Sequence, residues 1–236
     1  MNEILCLTED QLPGKRDLLG CGNYGACFEY EKNVLKLVDI NDVLTIDILS
    51  KIERNVDKLS NVVIKGVSFP LQKLYVDDFF KGYTMPYLNG IKYSDVLSNI
   101  IYGMDDLTLY EAILAYESGV SKIEKISNQK ILMGDMLLKN IMYHNNDLQF
   151  YDTDFYEIRE DYKTDEILLL NLKNFNFLMN RFMFNINKTL LTKEELNKLK
   201  AKTSELKENY MEILLQAFVK KSNHKVKTLG DLVIHK

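Results

Sequence analysis

The chain has 236 residues, of which 46% are hydrophobic and 27% are charged. This length fits one large domain or two small packed lobes, and the apolar content excludes a wholly disordered chain. The formal net charge of −4 argues against a protein whose main role is to grip nucleic-acid phosphates.

Neither a membrane span nor a disulfide framework is expected. The longest apolar run, around residues 167–172, is far shorter than the roughly 18 to 20 residues that a transmembrane helix needs. The first residues, MNEILCLTEDQ, carry acids where a secretory signal has a basic start. Cys6, Cys21 and Cys27 form neither an even set nor a Cys-x-x-Cys pair. The sequence therefore favours a cytoplasmic protein.

Short strands separated by turn residues are predicted in the first third of the chain. The predicted strands are residues 17–20, 26–30, 33–38, 62–64, 71–76 and 83–87. Between the third and fourth strands a helix is predicted, because Ile52, Val56 and Leu59 recur at helical spacing. Asn41 is the predicted cap of this helix.

Beyond Gly90 the pattern is mostly helical and contains one small hairpin. The predicted helices are residues 94–101, 107–126, 165–184 and 193–220. The hairpin covers residues 141–151, with its turn at 145–147. A β-rich lobe at residues 1–88 followed by a helical lobe at residues 89–236 is a two-lobed α+β organisation.

Three glycines, Gly20, Gly22 and Gly25, form a GxGxxG pattern in GCGNYG. A dinucleotide-binding fingerprint needs a helix directly after these glycines, whereas here the strand-like run ACFEY follows. Two interpretations remain: a glycine-rich hairpin that covers nucleotide phosphates, and an ordinary hairpin turn.

Lys36 lies in the middle of the apolar strand VLKLV, on one face with Val34 and Val38. An unpaired buried ammonium is costly, so this lysine needs an anionic partner. Glu53, at the edge of the apolar stripe of the following helix, could supply it. The alternative is an edge-strand lysine that keeps its ammonium in water.

The densest group of polar residues is GDMLLKN followed, after the hairpin, by YDTD. Asn140 and Asp152 stand at the two ends of the hairpin, and their oxygen atoms are the ligand type that Mg²⁺ prefers. Asp135, on the preceding loop, would then be free to act as a base. The alternative is a pair of solvated acidic turns.

In their order and spacing, these five pieces resemble the protein-kinase-like superfamily. GCGNYG resembles the glycine-rich loop, VLK the β3 lysine motif, the helix with Glu53 the αC helix, GDMLLKN the catalytic loop, and YDTD the Asp-Phe-Gly metal motif. The resemblance covers about residues 16–156. It implies a two-lobed protein-kinase-like fold and transfer of a phosphoryl group from ATP, with Mg²⁺, to a hydroxyl.

The resemblance also implies how the nucleotide phosphates would be bound. Gly20, Gly22 and Gly25 would cover the phosphates. Lys36, paired to Glu53, would contact the α- and β-phosphates.

The adenine would lie against other residues of the same lobe. Cys27 and Val34 match positions that line the adenine pocket, and Met85 matches the gatekeeper. The carbonyl of Pro86 and the N–H of Leu88 would meet the adenine edge, since proline can still accept a hydrogen bond.

The chemistry would be assigned to the second half of the chain. Asp135 would accept or orient the proton of the acceptor hydroxyl, and Asn140 and Asp152 would hold Mg²⁺. Lys139 would substitute for the phosphate-contacting lysine that many kinases carry two residues after the catalytic aspartate.

Some departures from the family pattern affect the choice of acceptor. Met133-Gly134 replaces the usual His-Arg, and the pair Gly134-Asp135 is closer to aminoglycoside and choline kinases. No Ala-Pro-Glu follows, and a helix predicted near Asp165 leaves little room for an activation segment. Asp154 replaces the glycine of the metal motif.

Three functions remain open from the sequence. A protein kinase that phosphorylates a hydroxyl side chain is the first choice, and a small-molecule kinase of the aminoglycoside or choline kinase type is the alternative. An acidic pocket mouth at Asp154, Glu157 and Glu160 would suit a cationic small molecule. The third is a pseudokinase that serves as a binding module.

Overall fold

The computed structural model describes residues 4–22, 25–38, 45–203 and 210–233. The fold is α+β, with a β-rich N-terminal part and a helical C-terminal part, as the sequence predicts. The chain forms two compact units: one comprises Met1–Leu88 and Tyr151–Ile158, the other Asn89–Phe150 and Arg159–Lys236. Within the described ranges, no helix is long and apolar enough to cross a membrane.

The first unit is built on a six-stranded sheet with one long helix. Its strands are β1 (Ile4–Leu7), β2 (Leu18–Gly22), β3 (Gly25–Tyr30), β4 (Asn33–Val38), β5 (Gln72–Val76) and β6 (Phe79–Pro86). They lie in the order β1-β5-β6-β4-β3-β2, with β1 parallel to β5 and the other pairs antiparallel. The segment that returns to this unit contains a 3-10 turn, Thr153–Phe155, and a short strand, Glu157–Ile158.

The helix α1 (Ile46–Leu59) connects β4 and β5. Its N-cap is Thr45, whose side chain accepts a hydrogen bond from the Ile48 N–H. The predicted cap, Asn41, lies outside the described residues. The predicted apolar stripe is confirmed, because Ile52, Val56 and Leu59 are buried.

The two faces of the sheet carry separate apolar clusters because strand side chains alternate. On the face towards α1, Val34, Val38, Tyr83 and Met85 pack with the helix. On the opposite face, residues such as Leu35 pack with β5 and β1.

Two strand predictions differ from the structure. Strand β1 was not predicted; it is only four residues long, and its stability comes from parallel pairing with the distant β5. The apolar run 62–64 is not a strand. Instead, the Val62 N–H bonds the Leu59 carbonyl just after α1, and Val63 is 87% exposed.

The second unit is mainly helical. Its helices are α2 (Tyr93–Tyr102), α3 (Leu109–Asn128), α4 (Thr164–Ile186), α5 (Lys193–Thr203) and α6 (Tyr210–Lys221). Its strands are β7 (Ile91–Lys92), β8 (Ile131–Leu132), β9 (Ile141–His144) and β10 (Asp147–Phe150). The predicted hairpin is confirmed as β9 paired with β10, and β7 pairs with the other edge of β9. The long helix predicted at 193–220 corresponds to α5 and α6, and residues 204–209 lie outside the described ranges.

Asn171 of α4 holds the chain just before the GDMLLKN loop. Its amide nitrogen donates to the Ile131 carbonyl at 2.9 Å and to the Ser127 hydroxyl at 3.0 Å. Its side-chain oxygen accepts from the Met133 N–H at 2.9 Å. This buried amide therefore ties the end of α3, β8 and the start of the loop to one helix position.

We expect Asn171→Ala to destabilise the protein by about 3 kcal/mol or more, because it leaves a buried N–H and a buried carbonyl without partners. Asn174→Ala is the matched control, since Asn174 is exposed on the same helix, and should change stability by less than about 0.5 kcal/mol. Urea denaturation of both variants measures the difference, and equal losses would contradict this role.

Candidate functional site

A buried lysine with two carboxylate partners forms the polar centre of the first unit. The Lys36 Nζ lies 2.5 Å from Asp152 Oδ1 and 2.6 Å from Asp154 Oδ2. The Tyr83 hydroxyl donates to the other oxygen of Asp154, and the Asn55 amide donates to the Asp154 carbonyl at 2.9 Å. Asp154 has a fully buried side chain, whereas that of Asp152 is 30% exposed. We call these five residues the Lys36 cluster.

The backbone of residues 152–155 explains how two aspartates reach one ammonium. Asp152 has left-handed dihedral angles, φ 60° and ψ 58°, which aspartate tolerates better than most residues. The 3-10 turn Thr153–Phe155 follows directly. Between the aspartates, the Thr153 hydroxyl donates to the Ser68 carbonyl at 3.1 Å, which fixes the turn to the rest of the unit.

The charges of the Lys36 cluster favour the protonated, positively charged form of the Lys36 side chain. Burial alone lowers the pKa of the Lys36 ammonium, but the carboxylates of Asp154 and Asp152 act in the opposite direction and hold the pKa well above its usual range. Burial and the neighbouring Asp154 raise the pKa of Tyr83, so its hydroxyl stays protonated and can donate. Burial also raises the pKa of the Cys27 thiol to about 11.

The expected ion pair between Lys36 and Glu53 is not formed. Glu53 accepts a hydrogen bond from the Tyr75 hydroxyl and lies 3.5 Å from the Lys73 Nζ. Lys73 also pairs with Asp57, one turn further along α1, at 2.7 Å. Glu53 and Asp57 are therefore engaged by β5, and the helix presents Asn55 to the Lys36 cluster instead.

The residues predicted to line the adenine pocket lie on the sheet face that carries Lys36. Cys27 is in register with Lys36, and Val34 is in register with Met85. Val34 and Met85 are buried in the apolar cluster under α1, and Cys27 packs against that cluster.

The two predicted adenine-edge groups follow Met85 at the end of the unit. The Pro86 carbonyl already accepts a hydrogen bond from the Ser68 hydroxyl at 2.9 Å, which leaves one lone pair for another donor. Leu88 is half-buried at the end of this stretch of the first unit.

The three glycines of GCGNYG have different surroundings. No described atom lies within 4 Å of where a side-chain carbon would start at Gly20 or Gly22. At Gly25, with φ 159°, the same carbon would lie 2.0 Å from the Leu37 carbonyl oxygen of β4. Gly25 is therefore required by strand packing, while the first two glycines border open space. Asn23 and Tyr24 lie outside the described residues.

The predicted catalytic residues lie together in the second unit. Asn140 is buried, and its amide donates to the Asp135 carbonyl at 2.9 Å and to the Asp135 carboxylate at 3.2 Å. Asp135 is exposed and has a left-handed backbone, with φ 48°. Lys139 is exposed in the 3-10 turn Leu138–Asn140. Because the Asn140 N–H groups point to Asp135, its carbonyl oxygen is the atom suited to a cation.

The acidic pocket mouth predicted for a cationic small molecule is wrong at Asp154. Both carboxylate oxygens of Asp154 are used inside the Lys36 cluster, so this residue cannot line a mouth. Glu157 pairs with Lys51 at 2.5 Å, and Glu160 lies 3.4 Å from Lys130. These acids already have cationic partners.

A cavity of about 690 Å³ in the second unit is lined by other residues, among them Asp106, His224 and Asp231. Its acids have structural partners: Asp106 accepts from the Gly230 N–H, and Asp231 from the Thr228 N–H. No three acidic, histidine or cysteine side chains come together as a metal site in the described part of the chain.

Three members of the Lys36 cluster are not predicted as such from the sequence. From the sequence, neither Asn55 nor Tyr83 is connected with Lys36, and Asp154 is placed at a pocket mouth and not beside the lysine. A signal exists for Tyr83, because a tyrosine on the strand next to Lys36 can face the same side. The competing cation, Lys73, was equally visible in the strand QKLYV.

Comparison with known proteins gives no family for this chain. No protein-family model matches it, and no curated protein matches it.

We expect Gly25→Ala to lower stability by about 2 kcal/mol or more, because the added methyl group collides with the backbone of β4. Gly20→Ala is the matched control and should change stability by no more than about 0.5 kcal/mol. Thermal melts of both variants measure the contrast. A Gly25→Ala protein as stable as the control would show that the close approach of β3 and β4 is not required.

Proposed function

We propose that the protein is an ATP- and Mg²⁺-dependent phosphotransferase of the protein-kinase-like superfamily, with a hydroxyl group as acceptor. The observation that carries this proposal is the ion pairing of Lys36 with Asp152 in the first unit. In the resemblance, these two residues contact the nucleotide phosphates and the metal, respectively. An ordinary buried lysine would need one acid to neutralise it, whereas Lys36 has two.

The charge of the Lys36 cluster supports a cation site at Asp152. One ammonium and two carboxylates leave an excess of one negative charge, and Asp152 is the more exposed of the two acids. Lys36 engages Asp152 Oδ1, so Oδ2 is the oxygen suited to a metal. Mg²⁺ binds one or two carboxylates together with phosphate oxygens and water, which suits Asp152, and the resemblance assigns Asn140 as the second protein ligand. When bound, Mg²⁺ would neutralise phosphate charge.

Each remaining residue has a role in this proposal. Lys36 contacts the α- and β-phosphates, and the backbone at Gly20 and Gly22 covers them. Asp135 orients the acceptor hydroxyl and accepts its proton, while Asn140 keeps the Asp135 carboxylate in place. Lys139 offers a positive charge for the transferred phosphoryl group.

The arrangement of elements supports the kinase-like, two-lobed form of the proposal. Strands β2 and β3 flank the glycines, β4 carries the lysine, α1 follows, and β6 leads to the hinge segment. The second unit supplies the loop and the hairpin β9–β10 between long helices. The free thiols at Cys6, Cys21 and Cys27 suit a reducing cytoplasm.

A small-molecule acceptor is the second candidate. The observation that favours it is the start of α4 at Thr164, soon after the Lys36 cluster, which leaves no room for a long activation segment. A hydroxyl side chain of a protein remains the first choice because of the glycine-rich loop and hinge.

Nucleotide and metal should stabilise the protein together. A ligand at about 100 times its Kd adds about 2.7 kcal/mol, which for a protein of this size raises Tm by roughly 5 to 10 °C. We expect this shift with ATP and Mg²⁺ together, and a much smaller one when Mg²⁺ is replaced by a chelator. A shift with ATP that ignores Mg²⁺ would favour the pseudokinase, and no shift would argue against a nucleotide site.

Asp135→Ala should abolish phosphoryl transfer from ATP, by a factor of about 100 or more, because the acceptor loses its orienting base. The same variant should keep the ATP-dependent rise in Tm, because the proposal assigns Asp135 to the acceptor and not to the nucleotide. Glu117→Ala, an exposed acid of the same unit, is the control. Transfer can be followed as loss of the γ-phosphate in the presence of candidate protein and small-molecule acceptors, and full activity of Asp135→Ala would refute the assignment.

A further inference from the structure

A lysine that contacts phosphates must be held in one position. Its side chain has four rotatable bonds and loses about 2 kcal/mol of rotamer entropy when it is fixed. In the resemblance, the acid of the αC helix supplies this restraint, and Glu53 is the matching residue. The structure gives Glu53 other partners, so a different residue must restrain Lys36.

Asp154 has the geometry of such a restraint. Its carboxylate is fully buried, and its Oδ2 lies 2.6 Å from the Lys36 Nζ. The Tyr83 hydroxyl holds the other oxygen, and Asn55 holds the backbone carbonyl. With both oxygens and the carbonyl engaged, the carboxylate has one orientation, and it points at the ammonium.

The sheet explains why Glu53 does not compete for Lys36. Tyr83 on β6 is in register with Lys36 on one side and with Lys73 on the other. The two lysines therefore lie on either side of the same tyrosine, facing α1. Two acids of α1, Glu53 and Asp57, pair with Lys73, and the turn after β10 supplies the acids for Lys36.

We propose that Asp154, and not Glu53, is the positioning residue for Lys36, and that the turn 152–155 therefore carries both the metal ligand and the restraint of the phosphate-binding lysine. This inference rests on the proposed function. The position of Lys36 then depends on the turn and is independent of how α1 presents Glu53.

The test compares two variants that keep shape and remove charge, Asp154→Asn and Glu53→Gln. Calorimetric titration with ATP and Mg²⁺ should give a Kd about tenfold or more weaker for Asp154→Asn, and within about twofold of wild type for Glu53→Gln. Adenosine, which lacks phosphates, should bind both variants as it binds wild type. A merely structural role for Asp154 would weaken adenosine binding as well.

Two further experiments extend the test, and the first does not require Asp154→Asn to fold. Tyr83→Phe removes only the hydroxyl that orients Asp154 and should weaken ATP binding severalfold without affecting adenosine. In a Lys36→Met background, Asp154→Asn should cause no further loss of ATP affinity, because the two residues act as one unit.

The outcomes separate this inference from the proposed function. Suppose that wild type binds ATP with Mg²⁺ and that Glu53→Gln weakens this binding about tenfold or more. The positioning role of Asp154 is then wrong, while the phosphotransferase proposal stands. If wild type binds neither ATP nor adenosine, the proposed function fails first. Loss of ATP affinity in Asp154→Asn alone, with adenosine binding kept, supports the inference.

Discussion

The first unit depends on one constraint: an ammonium group is buried in an apolar sheet face and must be neutralised there. Lys36 is only 6% exposed, between Val34 and Val38 on the face packed against α1. Removing one partner of a buried ion pair costs about 3 to 5 kcal/mol, so the neighbours of such a lysine are strongly restricted. The returning segment 151–158 belongs to this unit and supplies the two aspartates that meet that requirement.

The charges around α1 are divided between two lysines. Lys73 on β5 pairs with Glu53 and Asp57 of the helix. Lys36 on β4 pairs with the two aspartates of the returning turn. Tyr83 lies between them, and its hydroxyl is turned to Asp154. Because each cation has its own acids, the helix can contribute the uncharged Asn55 at the point where it meets the turn. This division explains why Glu53, which the sequence resemblance pairs with Lys36, is not the partner of Lys36 in the structure.

Sequence periodicity is sufficient to predict much of the fold, and it also predicts that Lys36 needs an anionic partner. It located β3, β4, α1 and the hairpin β9–β10, since these elements have strong alternating or helical patterns. It missed β1, because a four-residue strand whose partner is distant in sequence has no local signal. It also assigned the wrong acid to Lys36, because the choice between Glu53 and Asp154 depends on Lys73, a competitor on a neighbouring strand. The apolar pattern of β4 predicts that Lys36 needs an acidic partner. Which acid reaches it depends on how β4, β6 and β5 are paired in the sheet.

The left-handed backbone at Asp152 brings the carboxylates of Asp152 and Asp154 to the same ammonium group. In an extended chain, residues two apart point to the same side but about 7 Å apart, too far for both carboxylates to reach one ammonium. With φ 60° at Asp152 and a 3-10 turn after it, the two aspartates converge on Lys36 while Thr153 turns to Ser68. Glycine in place of Asp154 would leave Lys36 with a single, partly exposed acid and would remove the carboxylate that accepts from Tyr83. The aspartate at this position, unexpected in the family pattern, is therefore the residue that makes the first unit electrostatically complete.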